Sequence, residues 1–356
     1  MAVLAAARPA PGHAAFFSSA FADNSQLSIA QRQYSGAGGR GPQVIGLWIS
    51  PKATGQPGAL SSPNCQSTAI WYAYQHQTFM GKLSLLLVTD LGNGSEDEDV
   101  MIAAFLQKFF RVFLAHPADC EQLEDQVDRI IVRNVWNAAR YGMPEPWYHR
   151  WRSTPQLPIH DDLYVRSGDF STGAGESKDY LLQLYQLGYP VIPSIDSLAN
   201  LKCLPESEQY FIKPKDGFDA INARKLTISE LIALNPQHYI IQPFVDFDYE
   251  VSFYYLDKWL QYSLYAPDKE RRWDLVEFSP SVSDLKFAEK FVRWNPQKRG
   301  IVRIDACRLK NGELLLVEIS DQGGVYLSLP ELPIDIRGQF LVNLVHSIHD
   351  LGSRPY

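Results

Sequence analysis

Two hydrophobic patterns follow one another along the chain, and the first predicts a sheet with helices between its strands. Continuous apolar runs of strand length alternate with segments whose apolar residues recur at helical spacing. In order, these are strands at 43–50 and 83–88, a helix at 96–110, a strand at 111–115, a helix at 119–128 and a strand at 129–135. Strands that alternate with helices favour a parallel sheet, whose ligands bind at the carboxyl ends of the strands.

The pattern changes after residue 177, where short strands come in neighbouring pairs. Ser177 is a predicted cap for a helix at 177–187, which Gly188 ends. The next elements are a strand at 210–215, a helix at 227–234, strands at 239–245, 250–256 and 259–265, a helix at 283–294, strands at 301–309 and 313–319, and a helix at 340–351. Paired strands joined by tight turns predict an α+β region with antiparallel strands.

Composition restricts the partners of the chain. The 356 residues are 46% hydrophobic, which is enough for two or three domains, and the net charge of −7 comes without a basic, aromatic-rich block that would bind nucleic acid. No run approaches the roughly 20 apolar residues that cross a bilayer. The four cysteines show no metal-ligand spacing. We therefore expect reduced thiols, no nucleic-acid partner and no membrane partner.

The first 42 residues differ from the rest of the chain. Ala, Ser, Gly and Arg dominate there, and Asp23 is the only acidic residue. This composition is typical of a disordered tail and also of an organellar transit peptide. We predict a cytoplasmic protein with a tail at 1–42, and an organellar protein is the alternative if that segment is a transit peptide.

Asp305 and Glu318 form the most informative pair of residues. The Asn311-Gly312 dipeptide signals a hairpin turn, so the strands that carry the two acids are predicted to pair and to place both carboxylates on one face. Two neighbouring carboxylates repel unless a cation lies between them, and Mg²⁺ takes one or two such ligands together with water and substrate phosphates. In isolation, a hairpin with two solvated acids is the commoner interpretation. The residues on the neighbouring elements therefore decide between this interpretation and a metal site.

Two lysines strengthen the phosphate hypothesis. Lys213 lies within an apolar strand, where a buried ammonium is costly unless it reaches an anion. Lys178 lies in the first turn of a predicted helix, where the helix dipole favours an acid instead. Taken alone, each lysine is also typical of a surface residue whose apolar stem packs against the protein.

The segment YIIQPFVDFDYE at 239–250 is a predicted strand that runs into an acidic linker. Its backbone from Gln242 onward is a candidate for reading an adenine edge. Phe244 and Val245 are candidates for the walls of the ring, and Glu250 for an acceptor of ribose hydroxyls. An ordinary strand and loop with solvated acids is the alternative.

The order of these motifs carries a resemblance. The chain reads SKDYLL with GYPVIP, then FIKPKDG, IIQPFV, EVSF, and RID followed thirteen residues later by EISD. This order resembles the ATP-grasp superfamily, and more closely the branch of D-alanine:D-alanine ligases and bacterial glutathione synthetases, over about residues 127–329. The resemblance implies an N-terminal α/β domain with a parallel sheet at 43–155, followed by an α+β ATP-grasp domain pair with a central subdomain at 156–240 and a C-terminal subdomain with the metal site at 241–356.

The resemblance also implies cofactors and roles. ATP and Mg²⁺ are the implied cofactors, with Mn²⁺ as an alternative metal. Arg303 would stabilise the charge of phosphoryl transfer. The implied ATP contacts are Lys178, Lys213, Gln242, Phe244, Val245 and Glu250, and the implied metal ligands are Asp305, Glu318 and Asp321. The chain departs from the family at Ser320, where Asn is usual, so the third ligand is either Asp321 or missing.

The implied activity is an ATP- and Mg²⁺-dependent carboxylate-amine ligase that forms an amide or peptide bond through an acyl phosphate. A phosphotransferase and a catalytically inactive nucleotide-binding module are the alternatives on the same fold. A nicotinamide-linked oxidoreductase is disfavoured because no GxGxxG follows a predicted strand. The partners would be a small carboxylate and an amine, with the oligomeric state open and a homodimer as one option. Candidate ligands for substrate carboxylates are Arg133, Asn134, Arg271 and Arg272.

Overall fold

The computed structural model of the chain describes residues 82–89, 96–117, 119–133, 159–160, 178–215, 222–268, 271, 274–295, 300–321 and 326–350. The predicted tail at 1–42 and the predicted strand at 43–50 lie outside these residues. None of the helices in the described ranges is both long enough and apolar enough to cross a bilayer.

The first sheet is parallel, as the alternating pattern predicted. Its strands are β1 (Ser84–Val88), β2 (Arg111–Ala115), β3 (Arg129–Val132) and β4 (Ile159–His160), in the order β2-β1-β3-β4. Helix α1 (Glu96–Leu106) covers one face with Ile102, Ala103 and Leu106. The predicted helix at 119–128 is a 3₁₀ helix, Cys120–Gln126, whose Leu123 packs on the other face. β4 lies beyond the predicted domain boundary at residue 155.

The second sheet has three antiparallel strands, β5 (Gln209–Pro214), β6 (Arg224–Thr227) and β7 (Tyr239–Pro243), in the order β6-β5-β7. Helix α2 (Asp179–Gln186) precedes it, and α3 (Ile228–Leu234) lies between β6 and β7. Thr227 and Glu230 form a capping box at the start of α3, and Asn235 ends it in the left-handed region. β7 spans the predicted boundary between residues 240 and 241.

The third sheet has five antiparallel strands in the order β10-β9-β8-β11-β12. They are β8 (Phe247–Leu256), β9 (Trp259–Ala266), β10 (Val276–Glu277), β11 (Ile301–Leu309) and β12 (Leu314–Asp321), and they are accompanied by α4 (Val282–Trp294) and α5 (Ile334–Asp350). Asp257 and Lys258 make the predicted turn between β8 and β9, both with positive φ. One face of this sheet packs on α2 and α4, and the other on α5 and the first sheet.

The β11–β12 hairpin contains two one-residue offsets that cancel. At its tip, Arg308 pairs with Leu314 and the Leu309 N–H donates to the Glu313 carbonyl, so the connection is one residue longer than the predicted Asn-Gly turn. Nearer the middle, the register skips Val317, which is a bulge residue on β12. Beyond the bulge, Asp305 pairs directly with Glu318.

An extended segment joins the second and third sheets through the main chain. The Leu316 N–H donates to the Pro190 carbonyl at 2.9 Å, and the Ile192 N–H donates back to the Leu316 carbonyl at 3.2 Å. Ile195 exchanges two backbone hydrogen bonds with Ile241 of β7, at 3.0 and 2.7 Å. Residues 190–195 therefore hold the two sheets side by side.

We expect Asp284→Asn to lower the free energy of unfolding by about 2 kcal/mol at neutral pH. Asp284 caps α4 through Ser281 and accepts from Arg308 Nη2 at 2.7 Å. Burial acts to raise the pKa of Asp284, but the hydrogen bonds from Arg308 and Ser281 outweigh it and hold this pKa below its usual range. The stabilisation should be complete above the unfolded-state pKa of about 3.9 and be lost as pH falls through the folded-state value.

Urea denaturation of both proteins across pH 2–7 measures this difference. The control is Glu289→Gln, which removes an exposed pair with Arg293 on the same helix and should cost less than about 0.5 kcal/mol. Equal losses in the two variants would contradict the expected contribution of the buried pair.

Candidate active site

A charged row lies on the face of the third sheet that packs against the first sheet. The register places Asp305 between Ser252 on β8 and Glu318 on β12. It likewise places Arg303 between Tyr254 and Ser320. Residues directly opposite one another in a sheet share a face, with Cβ atoms about 5 Å apart. The two acids predicted as metal ligands are therefore neighbours on one face.

Arg303 is held rigidly beside Asp305. Its Nε donates to both carboxylate oxygens of Asp305, at 2.8 and 3.0 Å, and its Nη2 donates to Oδ2 at 2.9 Å. Ser252 Oγ donates to Oδ1 of the same carboxylate at 2.7 Å. Burial acts to lower the pKa of Arg303, but the charge of Asp305 outweighs it and keeps this pKa above its usual value. The guanidinium therefore remains a fixed positive charge.

Glu318 lies against the first of the two predicted phosphate lysines. Lys178 Nζ is 3.3 Å from Glu318 Oε1, and the lysine side chain is 6% exposed against 28% for the glutamate. Lys178 is the residue immediately before α2, and its N–H donates to the Lys215 carbonyl at the end of β5. The start of α2 and the end of β5 thus aim this ammonium at β12.

Lys213 reaches the same strand from the second sheet. It is buried in β5, opposite Ile240 of β7, and its Nζ donates to the Val317 carbonyl at 3.1 Å. Val317 is the bulge residue, and a bulge leaves the extra residue outside the ladder. The carbonyl of the bulge residue therefore gives the buried ammonium of Lys213 a hydrogen-bond acceptor. Because Val317 immediately precedes Glu318, the ammonium contacts β12 at the residue before this acid.

The predicted adenine segment crosses from β7 to β8. Gln242 is buried and its Nε2 donates to Ser194 Oγ at 2.8 Å, while the Phe244 N–H donates to the Gln209 carbonyl. Lys225 Nζ lies 3.8 Å from the centre of the Phe244 ring, a cation–π contact. Val245 is half-buried directly after Phe244. The side chain of Gln242 thus fixes the strand.

Glu250 lies on β8, further along the charged row. It pairs with Cys307 of β11 in the register. Burial and the charge of Glu250 raise the pKa of the Cys307 thiol to about 12, which makes Cys307 a structural residue.

The donor set fits a magnesium nucleotide. Mg²⁺ commonly takes one or two carboxylates and completes its octahedron with water and phosphate oxygens, and Asp305 and Glu318 offer two carboxylates on one face. Across the described ranges there is no group of three or more His, Cys, Asp or Glu residues that could hold a metal. Asp321 pairs with Val302 at the end of β12, and its side chain lies outside the described residues, so its role as a ligand stays a prediction.

The structure corrects the prediction that Arg133 binds a substrate carboxylate. The residue is 0% exposed at the end of β3, and its Nη2 donates to Glu98 Oε1 at 2.7 Å and its Nε to Asp99 Oδ1 at 2.9 Å. Burial raises the pKa of Glu98 to about 7, although the charge of Arg133 acts to lower it. The guanidinium neutralises two acids of α1 and offers no exposed surface to a substrate.

The structure says less about the other three residues predicted to bind a substrate carboxylate. Arg271 is 68% exposed at the side chain and pairs with Asp268 and Asp274 on the surface. Asn134 and Arg272 lie outside the described residues. Their contacts with a substrate stay predictions.

Sequence reasoning missed Ser252 and Glu98. Ser252 shares a face of β8 with Glu250 and Tyr254. Only the pairing of β8 with β11 shows that Ser252 donates a hydrogen bond to Asp305. Glu98 is one of four consecutive acids, EDED, at the start of α1. No local signal distinguishes it, because its partners are distant in sequence: Arg133 lies 35 residues away, and Leu327 and Leu329 lie 229 and 231 residues away.

Comparison with solved structures identifies the fold. The D-cycloserine synthetase DcsG aligns with 74% of this chain and 99% of its own, at 18% identity and a TM-score of 0.53. D-alanine–D-alanine ligase from Bacillus anthracis, complexed with ATP, aligns with 76% of this chain and 98% of its own, at 14% identity and a TM-score of 0.53.

The ATP-grasp ligase PsnB, complexed with a phosphomimetic variant of its minimal precursor, Mg and ADP, aligns with 74% of this chain and 97% of its own, at 13% identity and a TM-score of 0.51. No family model matches the sequence, and no curated protein sequence matches it. At these identities the likeness is one of fold, and the fold is that of the ATP-grasp ligases, as the order of motifs predicted.

We expect Arg133→Met to lower the free energy of unfolding by about 3–5 kcal/mol, because the change leaves Glu98 and Asp99 buried without their cation. Thermal and urea denaturation measure the loss. The control is Arg111→Met on the exposed end of β2, which should cost less than about 1 kcal/mol. A variant of normal stability whose KM for a carboxylate substrate rises would restore the substrate role.

Proposed function

We propose that the protein is an ATP- and Mg²⁺-dependent carboxylate-amine ligase that forms an amide or peptide bond through an acyl phosphate. The observation that supports this most directly is the convergence on β12. Asp305 lies opposite Glu318, Lys178 contacts Glu318, and Lys213 contacts the neighbouring Val317 carbonyl. Two carboxylates and two ammonium groups at one strand provide for a divalent cation and for the phosphates that it accompanies.

Each residue has a defined part in the proposed chemistry. Asp305 and Glu318 would hold Mg²⁺, which neutralises phosphate charge when bound. Lys178 and Lys213 would bind and orient the polyphosphate, and the backbone from Gln242 to Val245 would position the adenine. In-line geometry and charge neutralisation account for most of the catalysis of phosphoryl transfer.

The proposed reaction has two steps, phosphoryl transfer and attack by the amine. A substrate carboxylate oxygen attacks the γ-phosphorus, so that an O–P bond forms and the bond to the ADP oxygen breaks. The amine nitrogen then attacks the acyl carbon, a C–N bond forms, phosphate leaves with the C–O electron pair, and the nitrogen loses a proton. Arg303 would stabilise the negative charge that develops in both steps.

Electrostatics explains why such a site needs fixed cations. Two like charges about 4 Å apart repel by roughly 4 kcal/mol at an effective dielectric constant near 20, so an anionic carboxylate approaches a triphosphate only between positive charges. Three protein cations are available at the paired acids: Arg303 contacts Asp305, Lys178 contacts Glu318, and Lys213 contacts the carbonyl of Val317 next to Glu318.

The substrate class is a separate part of the proposal. PsnB is complexed with a variant of a minimal precursor and the Bacillus enzyme is a D-alanine–D-alanine ligase, so the fold accommodates both larger and small substrates. We propose a small carboxylate and an amine, and a panel of amino acids and short peptides tests this choice. Phosphotransfer without an amine is an alternative outcome of the same assay.

We expect Asp305→Asn and Glu318→Gln to reduce ADP release by at least about a hundredfold, because each change removes one of two proposed metal carboxylates. Coupled assay of ADP formation with the amino-acid and peptide panel measures turnover. Mn²⁺ binding in the presence of a non-hydrolysable ATP analogue, followed by electron paramagnetic resonance, measures the site directly.

Glu313→Gln is the matched control, because Glu313 is an exposed acid at the tip of the same hairpin and should leave both measurements unchanged. Unaltered Mn²⁺ binding in both site variants would refute the metal assignment. ADP release that does not depend on any amine would favour a phosphotransferase.

We expect Lys213→Met to weaken binding of a non-hydrolysable ATP analogue by about 10- to 100-fold, which corresponds to the loss of one charge-assisted contact to phosphate. Isothermal titration calorimetry measures the affinity. Lys215→Met is the control: this lysine is two residues away but pairs with Asp179 and Asp196. Equal affinities for wild type and Lys213→Met would exclude Lys213 as a phosphate ligand.

A further inference from the structure

One peptide bond lies between the charged row and the first sheet. The carbonyl of Tyr326 accepts from Arg303 Nη1 at 3.0 Å. The N–H on the other side of the same peptide unit, that of Leu327, donates to Glu98 at 2.9 Å from Oε2 and 3.0 Å from Oε1. Arg303 in the candidate active site and Glu98 on α1 thus bind opposite ends of one rigid planar group.

The segment around this peptide is shaped to receive a carboxylate. The Leu329 N–H also donates to Glu98 Oε2, at 3.3 Å, and Ser328 between the two leucines has a φ of 57°. Backbone N–H groups that flank a left-handed residue form an anion-binding concavity. Leu327 and Leu329 are 0% exposed, so Glu98 fills this concavity out of contact with solvent.

Further bonds hold both sides of the contact. Tyr262 on β9 donates its hydroxyl to the Leu327 carbonyl at 2.7 Å. Arg133 at the end of β3 donates to Glu98 Oε1 at 2.7 Å, which fixes the carboxylate from the first sheet. The Tyr326–Leu327 peptide is therefore held by Glu98 of α1 on one side and presents its carbonyl to Arg303 on the other.

We propose that Glu98 is a positioning residue for Arg303 and acts through the Tyr326–Leu327 peptide. The proposal rests on the proposed function for the part that Arg303 plays in catalysis. A residue of α1, which packs on the first sheet, would thereby set the orientation of an arginine that belongs to the third sheet.

Orientation matters here because the guanidinium is bonded on two sides. Nε and Nη2 contact Asp305, while Nη1 contacts only the Tyr326 carbonyl among the hydrogen bonds described for it. A displaced carbonyl would let the guanidinium tilt about its contact with Asp305. A misplacement of about 1 Å at a reacting centre costs on the order of a hundredfold in rate. The proposed nucleotide contacts at Lys213 and Gln242 lie on the second sheet and do not pass through this peptide.

The test is Glu98→Gln, in which one amide oxygen replaces two carboxylate oxygens that serve Leu327, Leu329 and Arg133. We expect kcat for ADP release to fall at least about tenfold. The dissociation constant of a non-hydrolysable ATP analogue should stay within about twofold of wild type, because its contacts lie elsewhere.

Asp99→Asn is the matched control. Asp99 is the next residue, is equally buried, and bonds Arg133 and Thr89. A general weakening of the buried charge cluster would lower kcat alike in both variants, whereas positioning through the peptide predicts a much smaller change in Asp99→Asn.

A spectroscopic readout separates the inference from the proposed function. The Arg303 Nε–H signal in a ¹⁵N correlation spectrum, assigned by its loss in Arg303→Lys, reports the environment of the guanidinium without any substrate. We expect it to shift or broaden in Glu98→Gln and to stay in place in Asp99→Asn. If no substrate pair supports ADP release, the proposed function fails, yet this comparison still decides the positioning of Arg303.

Tyr262→Phe is the second variant if Glu98→Gln lowers the folded fraction, since it removes only the hydroxyl that holds the Leu327 carbonyl. It should move the Arg303 signal in the same direction by a smaller amount. An unmoved Arg303 signal in folded Glu98→Gln, or in Tyr262→Phe where it replaces that variant, would overturn the proposal. So would an equal loss of kcat in Glu98→Gln and Asp99→Asn.

Discussion

Mutual neutralisation of charge between β12 and its neighbours is the interaction on which the site depends. Asp305 and Glu318 stand directly opposite each other, and each has a cation of its own: Arg303 clamps the first and Lys178 approaches the second to 3.3 Å. Without these cations, two carboxylates directly opposite each other in the sheet would repel. The cations come from β11 and from the start of α2, so the packing of α2 against the third sheet and the electrostatics of the site support each other.

The first sheet and α1 contribute by burying charge. Glu98, Asp99 and Arg133 form a cluster with almost no exposed surface, which is costly unless every partner is in place. Glu98 also accepts from the backbone N–H groups of Leu327 and Leu329, on the segment after β12. A buried ionic group of this kind adds little net stability over an apolar core, but it fixes which groups face each other. The cluster therefore fixes how the first sheet is oriented towards the third sheet.

Long regular elements and local turn chemistry were predictable from the sequence, whereas contacts between distant strands were not. The parallel first sheet and the turn at Asp257 and Lys258 follow from periodicity and turn residues, and the opposition of Asp305 to Glu318 was also predicted. The Asn-Gly dipeptide predicted a connection one residue shorter than the observed one, and the bulge at Val317 shifts the register back by one residue. The predicted pairing is therefore correct only because these two offsets cancel, and no local rule reveals either of them. Arg133 was misread for the same reason: a polar residue after a buried strand looks available until Glu98 and Asp99 of α1 are seen to enclose it.

The bulge at Val317 also restricts how this hairpin can change in length. Deletion of Val317 would make Leu316 and Glu318 consecutive, opposite Ala306 and Asp305, so the ladder would become regular and the acid would keep its face. The same deletion would remove the carbonyl that accepts from Lys213 and leave this buried ammonium without that acceptor. A single-residue deletion at the bulge would therefore disturb the lysine contact and spare the opposition of the two acids, and insertions at the exposed tip around Lys310 would also leave the pairing beyond the bulge intact.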